Sequence, residues 1–298
     1  MEINRANLRA LFTGYNTVFQ QAFDGAASDW NKVAMPVPST TAQEVYPWLG
    51  QTTRFREWIG DRVIQNLTSH DFAIKNKTFE NTVGVDREAI SDDTYGIYKP
   101  VIAQMGLDAK QHPDELVFGL LKQGTAKACY DGQYFFDTDH PVLQENGTVG
   151  SVSNFQSGTG PTWYLLDMTR VVKPIILQQR KPYTFVPMDQ ETDEVVFSAK
   201  TYRYGVDARC NVGFALWQLA YASQAELNED SYEAARAAMT SMTGDNGRPL
   251  GIRPSLLVVP PMYEGVGRKI LHADSNNYGA TNIWKGSADL LATPWLAS

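Results

Sequence analysis

The chain has 298 residues, of which 43% are hydrophobic and 20% are charged, a composition typical of a globular protein. Its net charge of -7, without any basic block, argues against a nucleic-acid-binding surface, because phosphate contacts need clustered Lys and Arg. The N-terminus lacks the apolar core of a signal peptide, and no apolar run reaches the roughly 18 residues of a membrane span. Cys129 and Cys210 lack metal-ligand or redox-motif spacing, which predicts a reduced cytosolic chain.

The first predicted element is an amphipathic helix over residues 3–23. Apolar side chains recur there mostly every three or four residues, which is the period of a helix with one buried face. The polar stretch that starts at Asp24 ends this helix, and prolines at positions 36, 38 and 47 predict an extended connector. The apolar face must be buried against another subunit or against its own domain, and the sequence leaves both open.

Residues 54–90 alternate between apolar and polar positions. Strand-like pieces lie around residues 62–67, 71–75 and 78–85. Short polar breaks with Asn76 and Gly84 separate these pieces. The pattern predicts a long antiparallel hairpin or a small sheet.

A long helix is predicted over residues 113–131. Pro113 is followed by two acidic residues, and both features are typical of a first helical turn. Leucines and valine then keep one face apolar, and Asp131–Gly132 is expected to end the helix. The stretch CYDGQYFFDTDHPV at residues 129–142 would therefore lie just after a helix C-terminus.

The second half of the chain is predicted to mix strands and helices. The Gly/Ser-rich stretch at 147–160 is interpreted as an exposed loop. Strands are predicted at 172–187 and 194–204, helices at 213–227 and 232–242, the strand SLLVVP at 255–260 and a last helix at 262–273. This order favours an α+β fold over a doubly wound α/β fold.

The stretch at residues 129–142 is the best chemical candidate, since neither GxxxxGK[ST] nor GxSxG occurs in the chain. Asp137, Asp139 and His140 offer oxygen and imidazole ligands that Ca²⁺ or Mn²⁺ accepts, but their spacing fits no EF-hand loop. Aspartates also stabilise turns, and a residue before proline is extended, so a structural turn is favoured. The sequence therefore predicts no catalytic, cofactor-binding or metal-ligating residue.

Several longer stretches carry a family resemblance. They are, in chain order, FREWIGDRVIQNL, AIKNKTFENTVGVDREAISDDTYGIY, CYDGQYFFDTDHPV, YRYGVDARCNVGFALWQLA, RPLGIRPSLLVVPPMYEGVGRKIL and NIWKGSADLLATPWL. They span nearly the whole chain. As an ordered set they resemble the Mu-like phage major head subunit family, also called the protein T family.

The resemblance implies an α+β fold of the HK97-like type, which tailed-phage major capsid proteins share. In this fold an N-terminal arm would take residues 1–50 and an extended loop residues 51–95. A peripheral domain would take residues 96–204 with its spine helix at 113–131, and residues 205–298 would form mostly the axial domain.

The resemblance also implies a structural function without catalysis. Copies of the subunit would join as hexamers and pentamers into an icosahedral phage or prophage head that encloses double-stranded DNA. The implied partners are the chain itself, a scaffold protein, a portal and a decoration protein, with packaged DNA by non-specific proximity and no membrane. The implied location is the virion, after assembly in the cytoplasm of the bacterial host.

Five aromatic residues are candidates for packing between subunits in this interpretation, with the intramolecular core as the alternative: Tyr15, Phe19, Trp58, Phe72 and Phe79. Two other functions stay open. One is an encapsulin-like nanocompartment shell of the same fold. The other is a metal-dependent hydrolase that would use Asp131 with Asp137, Asp139 and His140, and that predicts a bound metal and sensitivity to a chelator.

Overall fold

A computed structural model describes residues 5–47, 49, 72–92, 96–190, 193–275 and 279–297. Trp58 and the strand predicted at 62–67 lie outside these described residues. The helices are α1 Arg5–Gly25, α2 Arg87–Asp92, α3 Lys99–Lys122, α4 Glu194–Ala199, α5 Glu229–Thr240 and α6 Glu264–His272. None of the described helices combines the length and the apolar character needed to cross a bilayer.

The strands divide between two larger sheets and several short pairs. In chain order they are β1 Ala34–Pro38, β2 Gln43–Val45, β3 Ala73–Lys75, β4 Lys77–Asp86, β5 His140–Leu143, β6 Val149–Val152, β7 Phe155–Gln156, β8 Trp163–Leu166, β9 Ile175–Met188, β10 Thr201–Phe214, β11 Ala220–Ser223, β12 Thr243–Gly244, β13 Arg248–Pro249, β14 Leu256–Val259 and β15 Asp289–Ala292. Helices and sheets are both substantial, so the fold is α+β, as predicted from the order of the elements.

The first sheet has the strand order β1-β9-β10-β4. The long antiparallel ribbon of β9 and β10 forms its centre, β4 pairs antiparallel with β10, and β1 pairs parallel with β9. Helices α1 and α3 pack together over this sheet. Their shared core holds Tyr15 and Phe19 from α1, Met105 from α3, and Phe185 and Tyr204 from the sheet.

Helices α1 and α3 approach each other closely at Gly106. A Cβ atom at this position would lie only 2.4 Å from the carbonyl oxygen of Phe19, so only glycine admits this packing distance. The segment after α1 is also tied to α3, because the buried Asp114 Oδ1 accepts hydrogen bonds from the backbone N–H groups of Asp29 and Trp30 at 2.8 and 2.6 Å. The N-terminal helix is therefore part of the folded core of its own chain.

The second sheet has the strand order β15-β14-β8-β11-β7 and contains the largest hydrophobic core. Its central strands β8, β11 and β14 are buried along their whole length. Helices α5 and α6 pack against it and contribute Tyr232, Met239, Ile270 and Leu271 to the core. An Asn228–Ser231 capping box begins α5, because each side chain accepts a hydrogen bond from the backbone N–H of the other residue.

The prediction of a helix over residues 113–131 was wrong at both ends. Helix α3 begins fourteen residues earlier, at Lys99, and Pro113 lies in its interior, although proline removes one helical hydrogen bond there. The helix ends at Lys122 and not at Asp131–Gly132. Gly124 follows in a turn and packs directly against the buried Phe136 ring. A Cβ at this position would lie only 2.2 Å from that ring, so a residue with a side chain would displace it.

The predicted helix at 213–227 was also wrong. This segment holds the end of β10, a short 3-10 helix at Trp217–Leu219 and strand β11. Most of its side chains are buried, so the apolar spacing fitted a helix as well as a buried strand. Likewise, the strand predicted at 194–204 begins as helix α4 and continues as strand to Phe214.

Two further interpretations change with the tertiary structure. The strand-like pieces at 71–75 and 78–85 do not pair with each other, because β3 pairs with β2 and β4 pairs with β10. The predicted loop at 147–160 contains β6 and β7. The helices predicted at 3–23, 232–242 and 262–273 and the strand SLLVVP are confirmed within a few residues. The predicted domain boundaries stay predictions.

Candidate functional site

The stretch at residues 129–142 forms a tight turn followed by β5. The Gly132 N–H donates to the Cys129 carbonyl at 3.2 Å, and the Cys129 N–H donates to the Gln133 carbonyl at 2.8 Å. Gly132 has a φ of +89°, a backbone conformation that favours glycine. The turn therefore depends on the glycine that the sequence places after Asp131.

Asp131 is the centre of the polar contacts in this turn. Its Oδ2 lies 2.8 Å from His140 Nδ1, and its Oδ1 accepts from Cys129 Sγ at 3.0 Å and from the Gln133 N–H at 3.1 Å. Burial alone would raise the pKa of Asp131, but the hydrogen bonds from His140 and Cys129 outweigh burial and lower it. Asp131 is therefore held as a carboxylate with its acceptor atoms in use.

His140 is fully buried against an aromatic ring. Its imidazole stacks on Trp217 with the ring centres 3.9 Å apart and the planes 8° apart. Nδ1 faces Asp131, whereas Nε2 has no hydrogen-bond partner among the described residues. The ring thus anchors the turn to the segment before β11.

Asn154 provides a second anchor for the same turn. Its side-chain amide donates to the carbonyl oxygens of Phe135, Trp217 and Ala220, and its Oδ1 accepts from the Asp137 N–H at 2.9 Å. Asn154 is fully buried, so these bonds satisfy groups that water does not reach. The turn is therefore fixed to the second sheet from both sides.

Of the metal set considered from the sequence, Asp131 and His140 come together, but Asp137 and Asp139 do not join them in one cluster of potential ligand atoms. Asp137 accepts hydrogen bonds from the backbone N–H groups of Tyr134 and Thr138, and Asp139 is exposed. The donor atoms of Cys129, Asp131 and His140 do lie within 4.8 Å of one another. Burial, with the hydrogen bond to Asp131, raises the pKa of the Cys129 thiol, so the thiolate needed for metal binding or nucleophilic attack is disfavoured.

Replacing Asp131 with alanine is expected to lower the free energy of unfolding by about 2 kcal/mol. The change removes the acceptor for Cys129, Gln133 and His140 and leaves both nitrogens of a buried imidazole unsatisfied. Urea unfolding at neutral pH measures the difference. We expect the same curve for the wild-type protein with and without a chelator, because the contacts of the carboxylate are already made by the protein.

The matched control is Asp139→Ala, which changes an exposed aspartate of the same stretch. Its effect should stay within about 0.5 kcal/mol. A clear loss of wild-type stability on chelation would restore the metal interpretation of this turn.

The intersubunit candidates lie in different environments. Tyr15 and Phe19 are only 1% and 2% exposed. Tyr15 packs edge-on against Tyr204 with ring centres 5.2 Å apart, and Phe19 stacks on Phe185 at 5.0 Å. Their apolar area is buried within their own chain, which favours the intramolecular alternative, and contact of these two residues with a neighbouring subunit stays a prediction.

Phe72 and Phe79 are half-buried and keep part of their surface exposed. Phe72 packs against the small core cluster that contains Ile74, and Phe79 meets the His112 ring edge-on at 4.4 Å. Contact of these two residues with a neighbouring subunit stays a prediction. Trp58 lies outside the described residues.

Comparison with known proteins decides the family. The profile described as "Mu-like prophage major head subunit gpT" matches residues 8–296. The chain belongs to this family. The FluMu prophage major head subunit of Haemophilus influenzae is 43% identical over 90% of this chain and 89% of its own length. The major capsid protein of Escherichia phage Mu is 37% identical over 99% of this chain and 100% of its own length.

Solved phage heads have the same fold as this head subunit. A chain of the bacteriophage JBD30 procapsid matches with a TM-score of 0.86 and 47% identity, over 98% of this chain and 100% of that chain. A chain of the JBD30 capsid decorated with minor capsid protein trimers matches with a TM-score of 0.79 and 34% identity, over 94% of this chain and 93% of that chain. The fold is therefore the HK97-like capsid fold, and the protein is a major head protein.

Proposed function

We propose that copies of this head subunit assemble as hexamers and pentamers into an icosahedral shell around double-stranded DNA. The observation that carries the proposal is the match to the JBD30 procapsid chain over 98% of this subunit with a TM-score of 0.86. Contacts repeated around a closed symmetry axis add many modest interfaces, so the shell is stable although each contact is weak. The subunit acts by assembly and without catalysis.

The partners we propose follow from the same role. A scaffold protein and a portal would take part in assembly, which would occur in the cytoplasm of the bacterial host. A minor capsid protein is a further partner, since JBD30 heads are found decorated with trimers of such a protein. DNA would be held by proximity alone, because a chain with a net charge of -7 lacks the excess of cations that phosphate binding needs.

The two alternative functions have less support. The family match over residues 8–296 favours a phage head over a nanocompartment shell. The geometry around Asp131 favours a structural turn over a hydrolytic metal site, because hydrogen bonds from within the turn occupy its carboxylate.

Negative-stain electron microscopy of the purified subunit at high concentration tests the proposal. We expect shells, tubes or rings, and a larger fraction of closed shells when a scaffold protein is co-expressed. The control is the same protein at low concentration, where mass action reduces assembly. A protein that stays monomeric with and without scaffold would contradict the proposal.

A further inference from the structure

A cavity of about 330 Å³ lies between helix α3 and the first sheet. Strand β4 contributes Phe79, Glu80 and Asn81 to its wall, strand β9 contributes Tyr183, and strand β10 contributes Val206 and Ala208. Its size is at the small end of the range for pockets that take a ligand or a side chain. No function described above uses it.

The floor of this pocket is apolar and uncharged. Val206 and Ala208 are buried, and the Phe79 ring lies edge-on to His112. His112 Nδ1 and the Tyr183 hydroxyl are 2.6 Å apart. Burial lowers the pKa of His112 and raises the pKa of Tyr183, so both side chains are neutral at pH 7.

The rim of the pocket is acidic. Asp108, His112 and Glu115 follow one another at four- and three-residue steps, which places them on one face of α3. These two carboxylate residues of α3 and Glu80 of β4 are all exposed and line the pocket. Asp108 Oδ1 accepts a hydrogen bond from Gln104, which carries no charge. Among the described residues that line the cavity there is no Lys or Arg, so no cation of the lining balances these charges.

An apolar floor beneath an acidic rim matches the two halves of a long basic side chain. The methylene stem of Lys or Arg can cover Phe79 and Val206, while its cation meets Asp108 or Glu115. Phosphate and anionic lipid headgroups carry the wrong charge for this rim. The chemistry of the pocket therefore indicates a cationic side chain that comes from outside the lining.

We propose that this pocket receives a lysine or arginine side chain from a second copy of the chain. The proposal rests on the shell assembly proposed above, which brings many copies into contact. The chain carries 26 lysines and arginines, so a neighbouring copy is an ample source of the cation. Charge complementarity of this kind selects the orientation in which two copies meet.

Charge reversal at the rim tests the proposal. We expect the double variant Asp108→Lys, Glu115→Lys to keep the melting temperature of the wild type, because both side chains are exposed. Its yield of shells should fall by about tenfold or more, because a like charge would then meet the incoming cation. The matched control is Glu233→Lys, an exposed glutamate on helix α5, and it should assemble like the wild type.

The two proposals fail in different ways. If the wild-type protein forms no shells, the proposed function fails. If the wild type assembles and the double variant assembles equally well, the shell stands and the role of the pocket is overturned.

A photo-crosslinker identifies the occupant directly. Phe79 is replaced by p-benzoylphenylalanine, and shells are formed from a mixture of unlabelled and isotope-labelled subunits. The expected product joins position 79 to a peptide with Lys or Arg from a differently labelled copy. Links only within one chain, links only to scaffold or another head protein, or no links in intact shells would each overturn the proposal.

Discussion

Replacing Phe19 with alanine is expected to lower the free energy of unfolding of the subunit by about 3–5 kcal/mol. The side chain is 2% exposed and stacks on Phe185, with the ring centres 5.0 Å apart. Its removal would leave a cavity between α1, α3 and the first sheet, where Gly106 already brings the helices close together. Urea unfolding of the unassembled subunit measures this difference without a contribution from the shell.

Asn16→Ala is the matched control, because Asn16 lies on the exposed face of the same helix. Its effect should stay within about 0.5 kcal/mol. Equal unfolding curves for Phe19→Ala and the wild type would mean that α1 is not part of the core of the isolated subunit. In that case, packing of α1 on another subunit would be favoured over packing on its own domain.

Replacing Asp167 with alanine is expected to cost about 3 kcal/mol of unfolding free energy. Asp167 is fully buried and accepts four hydrogen bonds. The Thr169 N–H and hydroxyl donate to Oδ1 at 2.9 and 2.6 Å, and the Arg253 N–H and Arg170 Nε donate to Oδ2 at 2.9 and 3.3 Å. The carboxylate therefore joins the segment after β8 to the segment before β14, and its loss leaves several donors unpaired.

The effect of Asp167→Ala should also depend on pH. Burial alone would raise the pKa of Asp167, but the hydrogen bonds from Arg253 and Thr169 outweigh it and hold the pKa below its ordinary value of 3.8. A carboxyl group with a lowered folded pKa stabilises the protein above its unfolded pKa, and this stability is lost as pH falls through the folded pKa. The gap between wild type and variant should thus be full at neutral pH and shrink below about pH 4.

Asp167→Asn separates charge from shape in this test. The amide keeps the size of the side chain and one acceptor oxygen, but it does not titrate. We expect intermediate stability at neutral pH and no contribution of this position to the acid-induced loss. A gap between wild type and alanine variant that stays constant from pH 7 to acid would contradict the role of the ionised carboxylate.

Local signals were sufficient for several elements of the fold. Apolar spacing of 3.6 residues placed helix α1, because its inward face meets a core while its outward face meets water. The turn at residues 129–142 was recognised from Gly132 and its aspartates, since those residues form turns through their own backbone and side-chain geometry. The family resemblance was carried by longer ordered stretches and is confirmed by the match over residues 8–296.

Other elements could not be assigned from local signals. The segment 213–227 is mostly apolar, and its few polar residues give no clear periodic contrast that separates strand from helix. Its strand β11 forms because β7 and β8 supply hydrogen-bond partners on both edges. Pro113 indicated a helix start, but the core on either side of it holds α3 helical through the proline.

The contacts of the turn at residues 129–142 were likewise only partly predictable from local sequence. The sequence indicated that Asp131, Asp137 and His140 belong to a turn, because they lie within ten residues of one another. It did not reveal that Cys129 joins Asp131, that Trp217 covers His140, or that Asn154 bonds to Asp137. The last two partners are distant along the chain, so no pattern of neighbouring residues encodes their contact.

The sequence by itself determined the α+β class, the family and the amphipathic character of the first helix. Composition, periodicity and turn chemistry act over a few residues, and they are read directly from the chain. Only the tertiary structure decided where the first helix is buried, how the strands pair and which residues line the acidic pocket. These features depend on which distant surfaces meet. Burial of an apolar face is equally favourable against its own domain and against a neighbouring subunit, so the sequence of the face alone does not say which of the two covers it.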